Sequence, residues 1–303
     1  MNTIPRHPVR WQDHASAILS GFLGDWLEHR ANPLAVELQM MFEGQPLDPA
    51  QPQLAQPRRT LVLMVHGLTE LESIWDYPGQ PGVNYGSELA EVLGATPLGL
   101  RYNSGRPIYR NGEDLAEALE TLVAEWPVPV ENLILIGHSM GGLLIRSACQ
   151  AGLGSGHTWT GLVESCVYLG APHEGSWLAK AAHGAAGFMH KVPRDYLKVI
   201  GEVLDVRSAG IRNLSRGDIL EESGALAPLL PNARHFAISG LLARQHGNPV
   251  NVLFGDALVQ EGSARGANQA DWELTDYACF PGIDHIRLTH HPKVYEKLKE
   301  WLE

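Results

Sequence analysis

Residues 132–150 read NLILIGHSMGGLLIRSACQ, and this stretch constrains the fold more tightly than any other. Leu133 to Ile136 form an unbroken apolar run, the pattern of a strand buried on both faces. Gly137, His138 and Ser139 follow, and then Met140 and two further glycines. Apolar residues next recur at helical spacing. A serine set among glycines at a strand-to-helix junction predicts a sharp turn that holds the hydroxyl clear of the sheet. The helix opening there presents the end of its dipole that favours negative charge.

Other segments repeat the first half of this pattern. TLVLMVHGL (60–68), ATPLGLRYNSG (95–105), VESCVYLGAP (163–172) and HFAISGLLA (235–243) read as strands. GEDLAEALETLVAEW (112–126) is an amphipathic helix with Leu115, Leu119, Leu122 and Trp126 on one face. Strands alternating with helices, several of them apolar on both faces, predict an α/β fold with a mostly parallel central sheet flanked by helices. Ligands of such sheets bind at the carboxyl ends of the strands, where the serine lies.

Residues 1–58 read as an N-terminal appended helical segment and linker, ahead of a main domain at 59–303. A helix fits 13–29, LAVELQMMF suits a further helix or a strand, and GQPLDPAQPQLAQPRR suits a linker or surface loop. The stretch 173–232 is too long for a plain connection and carries two apolar helical stripes interrupted at Pro193. Such stripes belong either to core helices or to a helical cap insertion. We carry the cap as the expectation, with Trp177, Phe188 and Met189 facing substrate.

Charge and cysteine content narrow the function classes. The formal net charge of −11 removes the electrostatic attraction that nucleic-acid binding needs. No run of about 18 apolar residues is present, so no stable membrane insertion is expected. The first residues lack the layout of a signal peptide, and the odd, small set Cys149, Cys166 and Cys279 suits buried thiols in a reducing compartment. A cytoplasmic location is the expectation.

A serine hydroxyl needs a base to become a nucleophile. Acyl transfer also needs two N–H donors aimed at the developing oxyanion. Met140 offers one such N–H after Ser139, and Leu68, in the VHGL that ends an earlier strand, offers the other. Gly67 frees the backbone to turn there. Chain order Ser…Asp…His then directs attention to the C-terminal third. His285 lies between a strand-like run and a C-terminal amphipathic helix, and His290 and His291 are its rivals. Asp256 follows an apolar run in FGDALVQEGSA, with Asp271, Asp276 and the adjacent Asp284 as alternatives. His138 reads as a packing residue pointing away from the serine. His173 and His183 fit no metal-ligand spacing, and neither a metal nor a cofactor is expected.

LVLMVHGL, LIGHSMGG, YLGAPHEGS, GDALV and GIDHIRLTHHPKVY, in this order, resemble the α/β-hydrolase superfamily over about residues 60–303. The likeness is to bacterial lipases and esterases and to GPI inositol-deacylase-like serine esterases. It implies the α/β-hydrolase fold, a triad of Ser139, Asp256 and His285, and an oxyanion hole from the Leu68 and Met140 N–H groups. It also implies a sheet lacking the first two strands of the full fold. The expected activity is hydrolysis of a small-molecule acyl ester, with an apolar acyl chain suggested by the cap stripes. An acyltransferase, thioesterase or amidase would use the same residues, and the fold also serves non-catalytic binding modules.

Overall fold

In a computed structural model of the protein, residues 36–173, 209–222, 227–241 and 272–303 are described. Eight of their strands form one sheet: β1 (Gln39–Phe42), β2 (Gln45–Leu47), β3 (Thr60–Val65), β6 (Ala95–Arg101), β7 (Asn132–His138), β8 (Val163–Leu169), β9 (Arg234–Leu241) and β10 (Asp276–Pro281). A separate two-stranded ribbon pairs β4 (Asp76–Tyr77) with β5 (Gln80–Asn84). The sheet order is β10-β9-β8-β7-β3-β6-β1-β2. All pairings from β10 to β6 are parallel, and β1 and β2 add on antiparallel. The parallel strands are those read from the apolar runs. They lack a polar face because helices cover both sides.

The alternation along each strand sorts its residues between two cores. Leu61, Leu63, Val65, Leu133 and Leu135 face one side. There they meet α2 (Ile108–Glu125) and α3 (Met140–Ser155) through Leu115, Leu119, Leu122, Leu144 and Ile145. Val62, Met64, Ile134, Ile136 and Val167 face the other side, against α1 (Tyr85–Leu93) and α5 (Pro292–Leu302). Each such leucine or isoleucine, fully buried, contributes about 1.5–3 kcal/mol of transfer free energy. Asn84 starts α1 with a reciprocal cap: its side chain accepts from the Ser87 N–H at 3.0 Å, and Ser87 Oγ accepts from the Asn84 N–H at 2.9 Å. Gly94, at φ 61°, ends that helix.

One sequence expectation changes. The sheet does not begin late: residues 39–42, which suit a helix or a strand, and residues 45–47, read as linker, supply β1 and β2 at the β6 edge. The physical reason is the apolar pair Met40 and Met41, which are 0% and 3% exposed and so belong to the core. The helix expected at 13–29 lies outside the described residues. So does most of the expected cap, including Trp177, Phe188 and Met189. The part of 173–232 that is described includes α4 (Ala209–Arg216), and α4 is built into the main core. Its Leu214 is 0% exposed, Gly210 N–H donates to the Gly105 carbonyl at 3.0 Å, and Asn213 Oδ1 accepts from the Ile108 N–H at 3.2 Å.

Candidate active site

Ser139 stands at the carboxyl end of β7, in the middle of the sheet. Its backbone takes φ 52° and ψ −122°, a conformation that costs a non-glycine residue about 1–3 kcal/mol. The glycines around it explain how such a turn closes. A Cβ on Gly141 would lie 2.3 Å from the Val65 carbonyl oxygen and 2.5 Å from that of His66. A Cβ on Gly137 would lie 2.6 Å from the Gly142 nitrogen, and one on Gly142 would lie 2.6 Å from the Ala171 Cβ. The elbow is therefore wedged between the ends of β3 and β8 with no room for side chains. Ser139 N–H donates to the Leu169 carbonyl at 2.9 Å, which ties the elbow to β8.

The loop after β3 lies against this elbow. A Cβ on Gly67 would approach the Ser139 Cβ to 3.0 Å, so Gly67 is required for close approach. The turn itself falls elsewhere, on Thr69 at φ 61°, whose N–H donates to Ser104 Oγ at 3.0 Å. Leu68 and Met140 are both buried. Among the described residues, neither of their N–H groups meets an acceptor. Two such donors beside the nearly buried Ser139 can serve an oxyanion.

His285 is brought to the same place from the far end of the chain. Its ring packs over Gly170, where an added Cβ would be 2.8 Å from Nδ1; at φ 60° only glycine sits there easily. Gly170 directly follows Leu169, the residue that accepts the Ser139 N–H. Among the described residues, no hydrogen bond joins Ser139 Oγ to His285. Catalytic contacts often tighten only when substrate binds. Burial, and then the nearby charge of His138, lower the His285 pKa to about 3, opposed by Glu70.

The rivals of His285 have other tasks. His290 Nδ1 is 2.9 Å from Thr289 Oγ1. His291 caps α5, its Nδ1 accepting from the Lys293 N–H at 3.2 Å. The rival acids that are described are engaged as well. Asp276 accepts from Trp301 Nε1 at 2.8 Å, and Asp284 accepts from the Arg287 N–H at 3.0 Å. Asp256, Asp271 and His183 lie outside the described residues.

Sequence reading missed Glu70. Its Oε2 accepts from the Gly67 N–H at 2.7 Å and lies 3.0 Å from His138 Nδ1. Burial would raise the Glu70 carboxyl, but the His138 charge and the two hydrogen bonds outweigh it and hold the pKa below the ordinary value. His138 is fully buried, with its ring edge-on to Trp75 and 4.5 Å from the His285 ring. No group of three or more metal-ligating side chains occurs among the described residues. None of their helices is long and apolar enough to cross a membrane.

The PGAP1-like alpha/beta domain family matches residues 103–198, which include the β7–Ser139–α3 elbow. No curated protein matches the chain by sequence. Solved structures do match by shape. The mature lipase BlEst2 of Bacillus licheniformis superimposes with a TM-score of 0.55 at 20% identity, covering 88% of this chain and 97% of that one. The HSL-homolog EstE7 from a metagenome library gives a TM-score of 0.50 at 15% identity, covering 98% and 97%. Sheet order, elbow geometry and these superpositions agree: the chain has the α/β-hydrolase fold.

Proposed function

We propose that the protein is a serine hydrolase that cleaves carboxylic esters through an acyl-enzyme on Ser139. The observation that carries this reading is the Ser139 elbow: a strained serine with the Gly67–Leu68 loop pressed against it. In this reading His285 takes the hydroxyl proton as Ser139 Oγ attacks the ester carbonyl. The N–H groups of Leu68 and Met140 hold the resulting oxyanion. His285 returns the proton to the departing alkoxide, and the alcohol leaves. Water, deprotonated by the same histidine, then attacks the acyl-enzyme; the acid departs and Ser139 recovers its proton. Asp256 is the carboxylate that fixes the His285 tautomer and stabilises its cation. The lipase named above supports the ester class by fold likeness. The free cysteines, with Cys149 and Cys166 buried, suit a reducing cytoplasmic setting.

The test is hydrolysis of p-nitrophenyl esters from acetate to palmitate beside Ser139→Ala. Turnover is expected to fall by about 10⁴-fold or more in the variant, with an unchanged melting curve. Retained turnover in a folded variant sinks the reading. Product diverted from acid to a new ester by added alcohol would make the enzyme a transferase. Failure of Ser139 to react with a fluorophosphonate would leave a binding module.

A further inference from the structure

Glu70 and His138 stand outside the triad, yet they connect every loop of the site that is described. Glu70 Oε2 holds the Gly67 N–H at 2.7 Å, in the loop that carries Leu68. The same oxygen faces His138 Nδ1 at 3.0 Å, and His138 directly precedes Ser139. The second ring nitrogen, Nε2, faces the backbone carbonyl of His285 at 3.0 Å. A carboxylate oxygen and a carbonyl oxygen are both acceptors. An imidazole set between two acceptors satisfies them only when both of its nitrogens carry hydrogen. The pair is nearly dry, with side chains 0% and 13% exposed, so an unmatched proton there would be costly.

We propose that Glu70 and His138 form a buried ion pair that positions the Leu68 loop, the elbow and the His285 loop as one unit, with His138 doubly protonated at neutral pH. The function of that unit rests on the reading of Ser139 and His285 above; its protonation does not. Two consequences follow from the geometry. Loss of the pair removes the side-chain hydrogen bonds that join the three segments, and small displacements of reacting groups cost about 100-fold in rate. The His138 cation also lies one ring away from the His285 ring, 4.5 Å between centroids, and so disfavours a second proton there. The other titratable groups on the packed segments have their own contacts: His66 Nδ1 lies 2.8 Å from the Gly67 carbonyl, the Tyr102 hydroxyl donates to the His66 carbonyl at 2.9 Å, and Asp284 accepts from the Arg287 N–H at 3.0 Å. Glu72 is paired with Arg101, and His290 is bonded to Thr289.

The first experiment needs no substrate. In protein labelled with ¹⁵N-histidine, the two His138 ring nitrogens are assigned by their loss in His138→Gln. Both are expected to carry hydrogen at neutral pH; one bare ring nitrogen overturns the proposal. The second experiment follows the rate of fluorophosphonate labelling at Ser139 against pH in Glu70→Gln, Glu70→Asp and the double variant Glu70→Gln/His138→Gln. The double variant replaces the ion pair with two neutral amides and guards against loss of folding. Glu70→Gln is expected to slow labelling by about 10- to 100-fold. The double variant is expected to raise the midpoint of the acid limb by about one pH unit. Glu70→Asp, which keeps the charge, should recover part of the rate. On p-nitrophenyl esters the loss should appear in kcat with KM unchanged. Folded variants with the wild-type rate and wild-type acid limb overturn the proposal. Wild-type protein that fails to label at all refutes the serine reading and leaves the ring-nitrogen result standing.

Discussion

The protein buries charge in two places, and it does so in opposite ways. Around Glu70 and His138 the charges are matched, and both ring nitrogens have partners. Around Arg146, on α3, a cation 4% exposed has no carboxylate partner among the described residues. Its guanidinium lies 4.4 Å from the centre of the Trp272 ring, and Nη2 donates to the Ala227 carbonyl at 2.5 Å. Burial lowers the Arg146 pKa to about 10, and among the described residues Arg146 Nε and His173 Nε2 are buried without partners. The first cluster links loops at the serine; the second fills space between a helix and the chain after β8. The contrast is one of arrangement: one buried cation site faces a carboxylate and joins three segments, and the other has an aromatic face and a carbonyl instead.

The largest expected effect breaks the matched pair. Glu70→Ala leaves the His138 cation alone in a dry site and should cost about 3–5 kcal/mol. That corresponds to a fall in Tm of roughly 10 °C. An unchanged Tm by calorimetry would mean that the pair holds nothing together.

A smaller effect reads the electrostatics at His285. Burial and His138 bring its pKa down to about 3, and Glu70 alone among the described residues opposes them strongly enough to register. A carboxylate from Asp256 would raise it further. The acid limb of kcat/KM should therefore lie well above that value in the wild type. In Asp256→Asn it should move down by about one pH unit or more, together with a lower kcat. A limb that stays in place removes Asp256 from the triad and returns the choice to Asp271.

The smallest effect concerns the unmatched cluster. Arg146→Met removes a buried cation and keeps the aliphatic bulk against Trp272. Stability should change by no more than about 1 kcal/mol in either direction, since apolar replacement of buried charge is often neutral or favourable. A loss as large as that of Glu70→Ala, measured by urea denaturation, would erase the distinction between the clusters.

Most of the sheet was legible because burial on both faces leaves its mark on each strand separately. Leu133 to Ile136 and Leu61 to Val65 needed no knowledge of their neighbours to be read. The elbow was legible for a similar reason: its glycines and serine are adjacent in sequence although the walls they press on are not. The ribbon at 76–84 and α1 escaped notice because their signal is weak. The ribbon is short, partly exposed and contains glycine and proline, and α1 buries only Tyr85, Gly86 and Leu89. Residues 39–42 suit helix and strand alike, because four residues carry too little periodicity to decide, and residues 45–47 escaped because three residues around a proline resemble a linker. Glu70 had no sequence signature at all. A glutamate in a polar turn is ordinary until its partner, 68 positions away, is known. His138 was rightly read as buried, but the carbonyl of His285 waiting for its Nε2 lies 147 residues on.

The hairpin of β1 and β2 has a bearing on how molecules of this protein meet one another. Without it β6 would end the sheet with an open row of amide and carbonyl groups, a template for another chain's strand. The strand that takes its place at the rim is three residues long and contains Pro46, which has no N–H to offer. Removing everything before residue 58 would leave the proposed chemistry untouched on paper, yet it would bare that rim. The loss should show first as clumping at high concentration, long before any change in the rate at which a single molecule works.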